Sequence, residues 1–288
     1  MVFDYWFMFP IAICISTIAM GSGVGGATFF APILILWLGV PIEVAIGIGL
    51  ITEVFGFSSG VYAYRKKKLI DYKLAGSMLV ISIPLALLGS FVSNWFDPNI
   101  LKAILGLGLL AIAYSLLRSP AHEHGELDSG ASPVDQKKII PEGSTTLTSA
   151  EGETFVYHVC EKWFGRLVAA VGGFFTGMIS TGLGELNSYF LLERCKVPSK
   201  VAVATSVFAV AFTALAAATG HMIQFLGSGP EVLYQVLSFV IFTVPGVLIG
   251  GQIGPAFSSR VPQHVLERVL GILFVLIACL TLGQLVFA

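Results

Sequence analysis

The chain has 288 residues, of which 56% are hydrophobic and only 11% charged, and its mean hydropathy is +0.87. A soluble domain carries about 25% charged residues, so this composition excludes a soluble globular protein and points to a polytopic, mostly helical membrane protein. The net charge of -1 says little, because charges on a membrane protein count by side. The lone basic run, Arg65–Lys68, has no interleaved aromatics and excludes nucleic acid as a partner.

Residues 5–42 carry no charge, a run too long for one span of about 20 residues. Gly21-Ser22-Gly23-Val24-Gly25-Gly26 interrupts it. The pattern predicts a helix over 5–20, a glycine break and a short helix over 27–38. Asp4 stands ahead of this run with no Lys or Arg, so a cleaved signal peptide is not indicated and the segment is expected to remain. Pro41 opens a span over 42–64 that ends at Arg65–Lys68, and further spans are expected over 74–96 and 99–117, with Asp97-Pro98 making the turn between them.

Between Arg118 and Lys162 lie 12 of the 33 charges, eight of them acidic. This is a soluble loop, and its runs at 137–141 and 154–158 suggest a small β-hairpin on the membrane face. The second half then repeats the plan: a span over 163–179, a break at Ser180-Thr181-Gly182-Leu183-Gly184, a short helix over 185–194, and spans over 198–220, 232–256 and 263–287. The expected units are 1–117, 118–162 and 163–288. Four cysteines, Cys14, Cys160, Cys195 and Cys279, lie far apart with no CxxC, and read as thiols without a disulfide framework.

The halves match in order. Gly23-Val24-Gly25-Gly26 pairs with Gly182-Leu183-Gly184-Glu185, Val40-Pro41 with Val197-Pro198, Pro84 and Gly89 with Pro245 and Gly250, and Leu105-Gly106 with Leu270-Gly271. The offsets run from 157 to 165, as in a duplication with small insertions. Charge then orients the repeats. With Arg65–Lys68 in the cytoplasm, inverted repeats place 15 of the 16 basic residues inside and only Lys102 outside, whereas parallel repeats put six outside. The positive-inside rule favours the inverted arrangement, with both termini outside and the loop cytoplasmic. The expected fold is an all-α membrane protein of two inverted repeats, each a glycine-broken helical hairpin plus three spans, with a small cytoplasmic hairpin-like insert. Charge does not separate a re-entrant hairpin from a pair of full spans.

Inverted repeats with matched interrupted helices mark secondary transporters. Irregular backbone at membrane depth is tolerated where it is buried in protein or lines a cavity, so the two breaks are expected to face each other. Ser22, Gly23, Val24, Gly25 and Gly26, with Ser180, Thr181, Gly182, Leu183 and Gly184, each lead into a short helix whose amide groups suit a small anion; close helix packing through small residues is the competing explanation. Two acids lie deep in the spans, Glu53 and Glu185, and intramembrane acids are costly and usually functional. A carboxylate at Glu185 would compete with an anion for one set of donors, which offers a route to proton coupling; a plain helix-start acid is the bland alternative. Thr205 and Ser206 are further candidates for substrate, and Thr28, Asn187 and Ser188 for supporting polar contacts. Tyr62, Tyr64, Trp95 and Trp163 read as interface anchors. No pattern for catalysis, metal binding or a cofactor is present.

The paired breaks "GSGVGG" and "STGLGE", the "GVP" and "KVP" that follow, and the duplicated plan resemble the sulfite exporter TauE/SafE family, also described with the toluenesulfonate uptake permeases. The resemblance covers nearly all of the chain outside 118–160. It implies transport, most often export, of sulfite, sulfoacetate or another organosulfonate across a bacterial inner membrane. Ala202-Val203-Ala204-Thr205-Ser206 approximates a second-half family segment, while Ala45-Ile46-Gly47-Ile48-Gly49 lacks the Thr-Ser pair, which biases the expected site toward the second repeat. A passive anion channel, or a transporter of cations through Glu53 and Glu185, are the alternatives. The expected partners are a small anion and the bilayer; a homodimer is compatible with the sequence, but glycine is too widespread to mark a face.

Overall fold

The computed structural model describes residues 5–118, 145–158, 160, 162–257, 261 and 263–287. The helices are α1 (Met8–Ser22), α2 (Ala27–Leu36), α3 (Ile42–Lys66), α4 (Tyr72–Ser93), α5 (Pro98–Arg118), α6 (Lys162–Ile179), α7 (Leu183–Ser188), α8 (Ser199–Ser228), α9 (Pro230–Phe257) and α10 (Gln263–Phe287). Six of them, α3, α4, α5, α8, α9 and α10, are long and apolar enough to cross a membrane. α1 has 15 residues and α2 has 10. At 1.5 Å per residue these measure roughly 22 Å and 15 Å, short of the ~30 Å hydrocarbon core. α7 runs on into a six-residue π-helical segment, Tyr189–Arg194.

α3 and α8 are apolar around most of their circumference and sit in the centre, largely buried, whereas α4, α5, α9 and α10 leave most of their surface outside. The packing has an exchange pattern: α1 lies on α9 and α6 on α4, while α3 lies on α9 and α8 on α4. Individual atoms repeat it. A Cβ on Gly89 would strike Phe174 O and Met178 N, and one on Gly250 would strike Ile13 O and Thr17 N. Thr52 and Thr243 hydroxyls share a hydrogen bond of 2.8 Å, and so do Ser82 and Thr213. Small residues let these backbones approach closely, as membrane helices require in the absence of a hydrophobic drive between them.

Four expectations change. α8 continues past Gly220 to Ser228 because Gly220 is needed for close approach to Ser90 of α4, and the helix stops only at Gly229 (φ +107) and Pro230. His221 is therefore buried in a helix, its Nε2 2.8 Å from Gly177 O, rather than in a loop. The hairpin exists, but β1 (Thr145–Thr148) pairs antiparallel with β2 (Thr154–Tyr157), with Gly152 at φ +85 in the turn; the run at 137–141 lies outside the described residues. Cys160 and Cys195 form a disulfide across a sequence separation of 35, a pairing that the fold creates and spacing does not suggest. Tyr64 is buried and donates to Met20 O at 2.8 Å, so it is a packing residue, while Tyr62, Trp95 and Trp163 are exposed.

Candidate functional site

The two glycine breaks meet at the centre. α1 closes on Gly23, whose φ of +74 is the left-handed conformation of a helix stop and whose N–H donates to Ala19 O. Gly182 turns the chain out of α6 at φ +136, a value that L side chains rarely adopt. A Cβ on Gly184 would stand 2.8 Å from Gly25 N and 2.9 Å from Gly23 O. The loops thus touch backbone to backbone, and only glycine fits.

Gly25 is the floor of a polar cluster. A Cβ there would lie 3.0 Å from Glu53 Oε1, 3.3 Å from Thr28 Oγ1 and 3.8 Å from Glu185 Oε1. Both carboxyl groups are buried, and each is held by donors. Glu185 Oε1 accepts from the Thr28 hydroxyl at 2.7 Å and the Thr181 hydroxyl at 3.1 Å, and its Oε2 accepts from Gly182 N–H at 3.0 Å. Glu53 Oε1 accepts from Ala27 N–H at 3.2 Å, at the first turn of α2. Buried carboxyl groups are tolerated when they are hydrogen-bonded in this way.

Several loop amides expected to face an anion are therefore engaged by the protein itself. Gly23 N–H donates to Ala19 O, Val24 N–H to Ser22 Oγ, Ala27 N–H to Glu53, Gly182 N–H to Glu185 and Leu183 N–H to Thr176 Oγ1. Ser206 Oγ donates to Gly23 O at 3.4 Å and so belongs to the cluster's edge. Gly26 packs against Ala19 and Phe57, and Val24 and Leu183 are buried apolar contacts. Ser180 Oγ, Ser188 Oγ and both polar atoms of Asn187 are buried with no hydrogen-bond partner among the described residues. Buried polar atoms without partners are rare in native proteins and call for an explanation.

Thr205 does not join this cluster. Its Oγ1 accepts from Asp71 N–H at 3.0 Å. Asp71 caps α4 by accepting from Lys73 N–H and Leu74 N–H, and its Oδ2 accepts from the Tyr157 hydroxyl at 2.8 Å. Burial, and secondly the bond to Asp71, push the Tyr157 hydroxyl well above the usual tyrosine range. The hairpin is further attached by Ala150 N–H to Lys67 O and by a Lys200–Glu153 ion pair. Sequence reasoning missed Asp71 and Tyr157. An Asp immediately before a helix start was the available signal for the first; nothing marked the second.

Six helices long and apolar enough to cross a membrane, packed around two touching irregular loops with paired acids at the contact, mark a multi-pass helical membrane protein. The chain matches the profile of the sulfite exporter TauE/SafE family over residues 8–281, and it belongs to that family. Among its relatives, the probable membrane transporter protein YunE of Bacillus subtilis is 28% identical over 95% of this chain and 94% of its own length. A second Bacillus subtilis protein, the probable membrane transporter YjnA, is 27% identical over 86% and 90%. The probable membrane transporter MJ0441 of Methanocaldococcus jannaschii is 24% identical over 94% and 96%. No solved structure matches.

Proposed function

We propose that the chain is a secondary transporter that exports a small anion, sulfite or an organosulfonate such as sulfoacetate, across the cytoplasmic membrane, with anion binding coupled to protonation of Glu185. The observation that carries this reading is the occupation of the Thr28, Thr181 and Gly182 donors by Glu185. An ionised Glu185 saturates them; a protonated Glu185 releases donors to an anion that takes the carboxylate's place. The partnerless Ser180, Asn187 and Ser188 supply further polar contacts. The two half-length helices, the exchange pattern of the packing and the side distribution of Lys and Arg support inverted repeats with the hairpin insert cytoplasmic. In such a frame the halves rock about the glycine contact and open it alternately to each side.

A second reading has its own observation. Glu53 and Glu185 both face Gly25, and two carboxylates in one cluster also suit a cation. The test is thermal stability of the purified protein against sulfite, thiosulfate, sulfoacetate, taurine, acetate and phosphate at acidic and neutral pH. A binder at about 100 times its dissociation constant adds about 2.7 kcal/mol. Sulfur anions are expected to stabilise, and more at acidic pH. Stabilisation by sodium or amines instead, growing with pH, would replace the anion reading with the cation one. Linear, non-saturating flux would make the protein a channel.

A further inference from the structure

Outside the carboxylate cluster a cavity of about 250 Å³ lies between α5 and the start of the α7 segment. Its inner end holds Glu185 and the Oγ of Ser188, buried and without a partner. Its walls are apolar: Ile112 and Leu116 from α5, Leu186 and the ring of Tyr189 from the other side. Glu193 and Ser115 complete the lining. Ala111 and Tyr189 are exposed, so the cavity opens on the flank of the molecule.

The matching place in the other half, after the first glycine break, is occupied by two aromatic rings. Phe29 and Phe274, both buried, stack there with ring centroids 5.0 Å apart, between α2 and α10. By the correspondence of the glycine breaks, Ser188 stands where Phe29 stands in the first repeat. A serine in place of a packed phenylalanine opens the hollow and leaves a hydroxyl at its end. At roughly 30 Å³ per water, the hollow has room for about eight waters, far more than one sulfur oxyanion fills, and most of its wall is apolar. Pockets of that make-up hold the apolar part of a ligand while a few polar atoms fix the rest.

Resting on the anion reading, we propose that this cavity is a tail subsite: it holds the apolar chain of an amphiphilic organic anion whose headgroup lies at Ser188. The occupant is an organic monoanion with a short alkyl or aryl tail, and the opening beside Ala111 admits it from the flank.

The experiment titrates the full chain in lipid nanodiscs, at acidic pH, with unbranched alkanesulfonates from methane- to octanesulfonate, against empty discs. About 0.8 kcal/mol per buried methylene converts to about fourfold in affinity. Affinity is expected to rise by about that factor per carbon and then level off once the hollow is full. Ala111→Trp, which plugs the opening, is expected to flatten the series, and Leu107→Trp on the exposed face of α5 to leave it rising. Methanesulfonate or sulfite binding with no gain from longer chains would overturn the subsite and leave the anion reading standing. So would a gain that survives in Ala111→Trp. Binding by no member of the series, nor by sulfite, overturns the anion reading and the subsite with it. The wild-type series decides the matter even if the tryptophan variant does not fold.

Discussion

The Thr28 hydroxyl donates to the Glu185 carboxylate at 2.7 Å, tying the first turn after one glycine break to the first turn after the other. The bond crosses the middle of the molecule and joins the two halves at the point where a carrier must let them move. A change at Glu185 therefore acts on the contact between the halves as well as on the polar cluster.

Glu185→Gln is expected to remove pH dependence while keeping the amide within reach of Thr28. If one proton accompanies one anion, wild-type affinity falls by up to about tenfold per pH unit on the alkaline side of the site's titration, by linkage. The variant should bind with a flat profile. Glu53 faces the same cluster from α3 and Glu193 lines the neighbouring cavity. A slope that persists in Glu185→Gln would move the coupling to one of these. Thr28→Val, which leaves a buried Glu185 oxygen without its hydroxyl donor, should cost about 1–3 kcal/mol in thermal or denaturant stability.

The glycine contact makes a graded prediction. Gly184→Ala places a methyl 2.8 Å from Gly25 N, a clash with backbone that cannot swing aside. It is expected to abolish folding or to cost more than the ~1–3 kcal/mol usual for overpacking. Gly25→Ala meets Glu53 Oε1 at 3.0 Å, a side-chain atom that can shift, so it should fold and lose transport. Gly76→Ala meets nothing within 4 Å and sits inside α4, where it should stabilise by about 0.5–1 kcal/mol. Equal melting temperatures for all three would show that the loops do not touch in solution.

The two hydroxyl bridges offer a test of the internal correspondence. Ser82 lies two residues before Pro84 and Thr243 two before Pro245, and the same displacement carries Thr52 to Thr213. Each bridge measures 2.8 Å. Double-mutant cycles, with Thr→Val and Ser→Ala, should give similar coupling energies of about 0.6 kcal/mol, the average for such bonds between membrane helices. Coupling in one bridge and none in the other would show that the halves resemble each other in sequence without sharing energetics.

Helix positions were legible because charge-free runs, Pro and Gly speak locally: among the described residues, nine of the ten helices, α7 counted with its π-helical continuation, start and stop within a few residues of where those signals fall, and only α8 overran its glycine. The meeting of the two glycine breaks was legible through the duplication. The Thr28–Glu185 bond was not, since Thr28 is one hydroxyl among many and its partner is 157 residues away. Thr205 looked equivalent to its neighbour Ser206, yet successive helical residues face about 100° apart; one reaches the Gly23 carbonyl and the other the Asp71 amide. Cys160 and Cys195 are joined only by the return of the central loop to the end of the α7 segment, a tertiary fact with no local signature.

The hairpin's attachment separates a buried contact from an exposed one. Tyr157→Phe removes the donor that satisfies Asp71 Oδ2 and leaves a buried carboxylate oxygen without its hydroxyl partner. The expected cost is about 1.5–3 kcal/mol, felt at the hairpin and not in the spans. Protease cleavage between residues 145 and 157 should therefore accelerate by roughly ten- to a hundredfold where opening is in rapid equilibrium, with the melting temperature of the helical body nearly unchanged. Lys200→Ala deletes an ion pair whose side chains are 49% and 47% exposed. Such pairs contribute about 0–1 kcal/mol, so cleavage should rise no more than about fivefold. If Lys200→Ala loosens the hairpin as much as Tyr157→Phe, the docking is electrostatic and weak, and the Asp71–Tyr157 bond does not hold the insert over the ends of α3, α4 and α8.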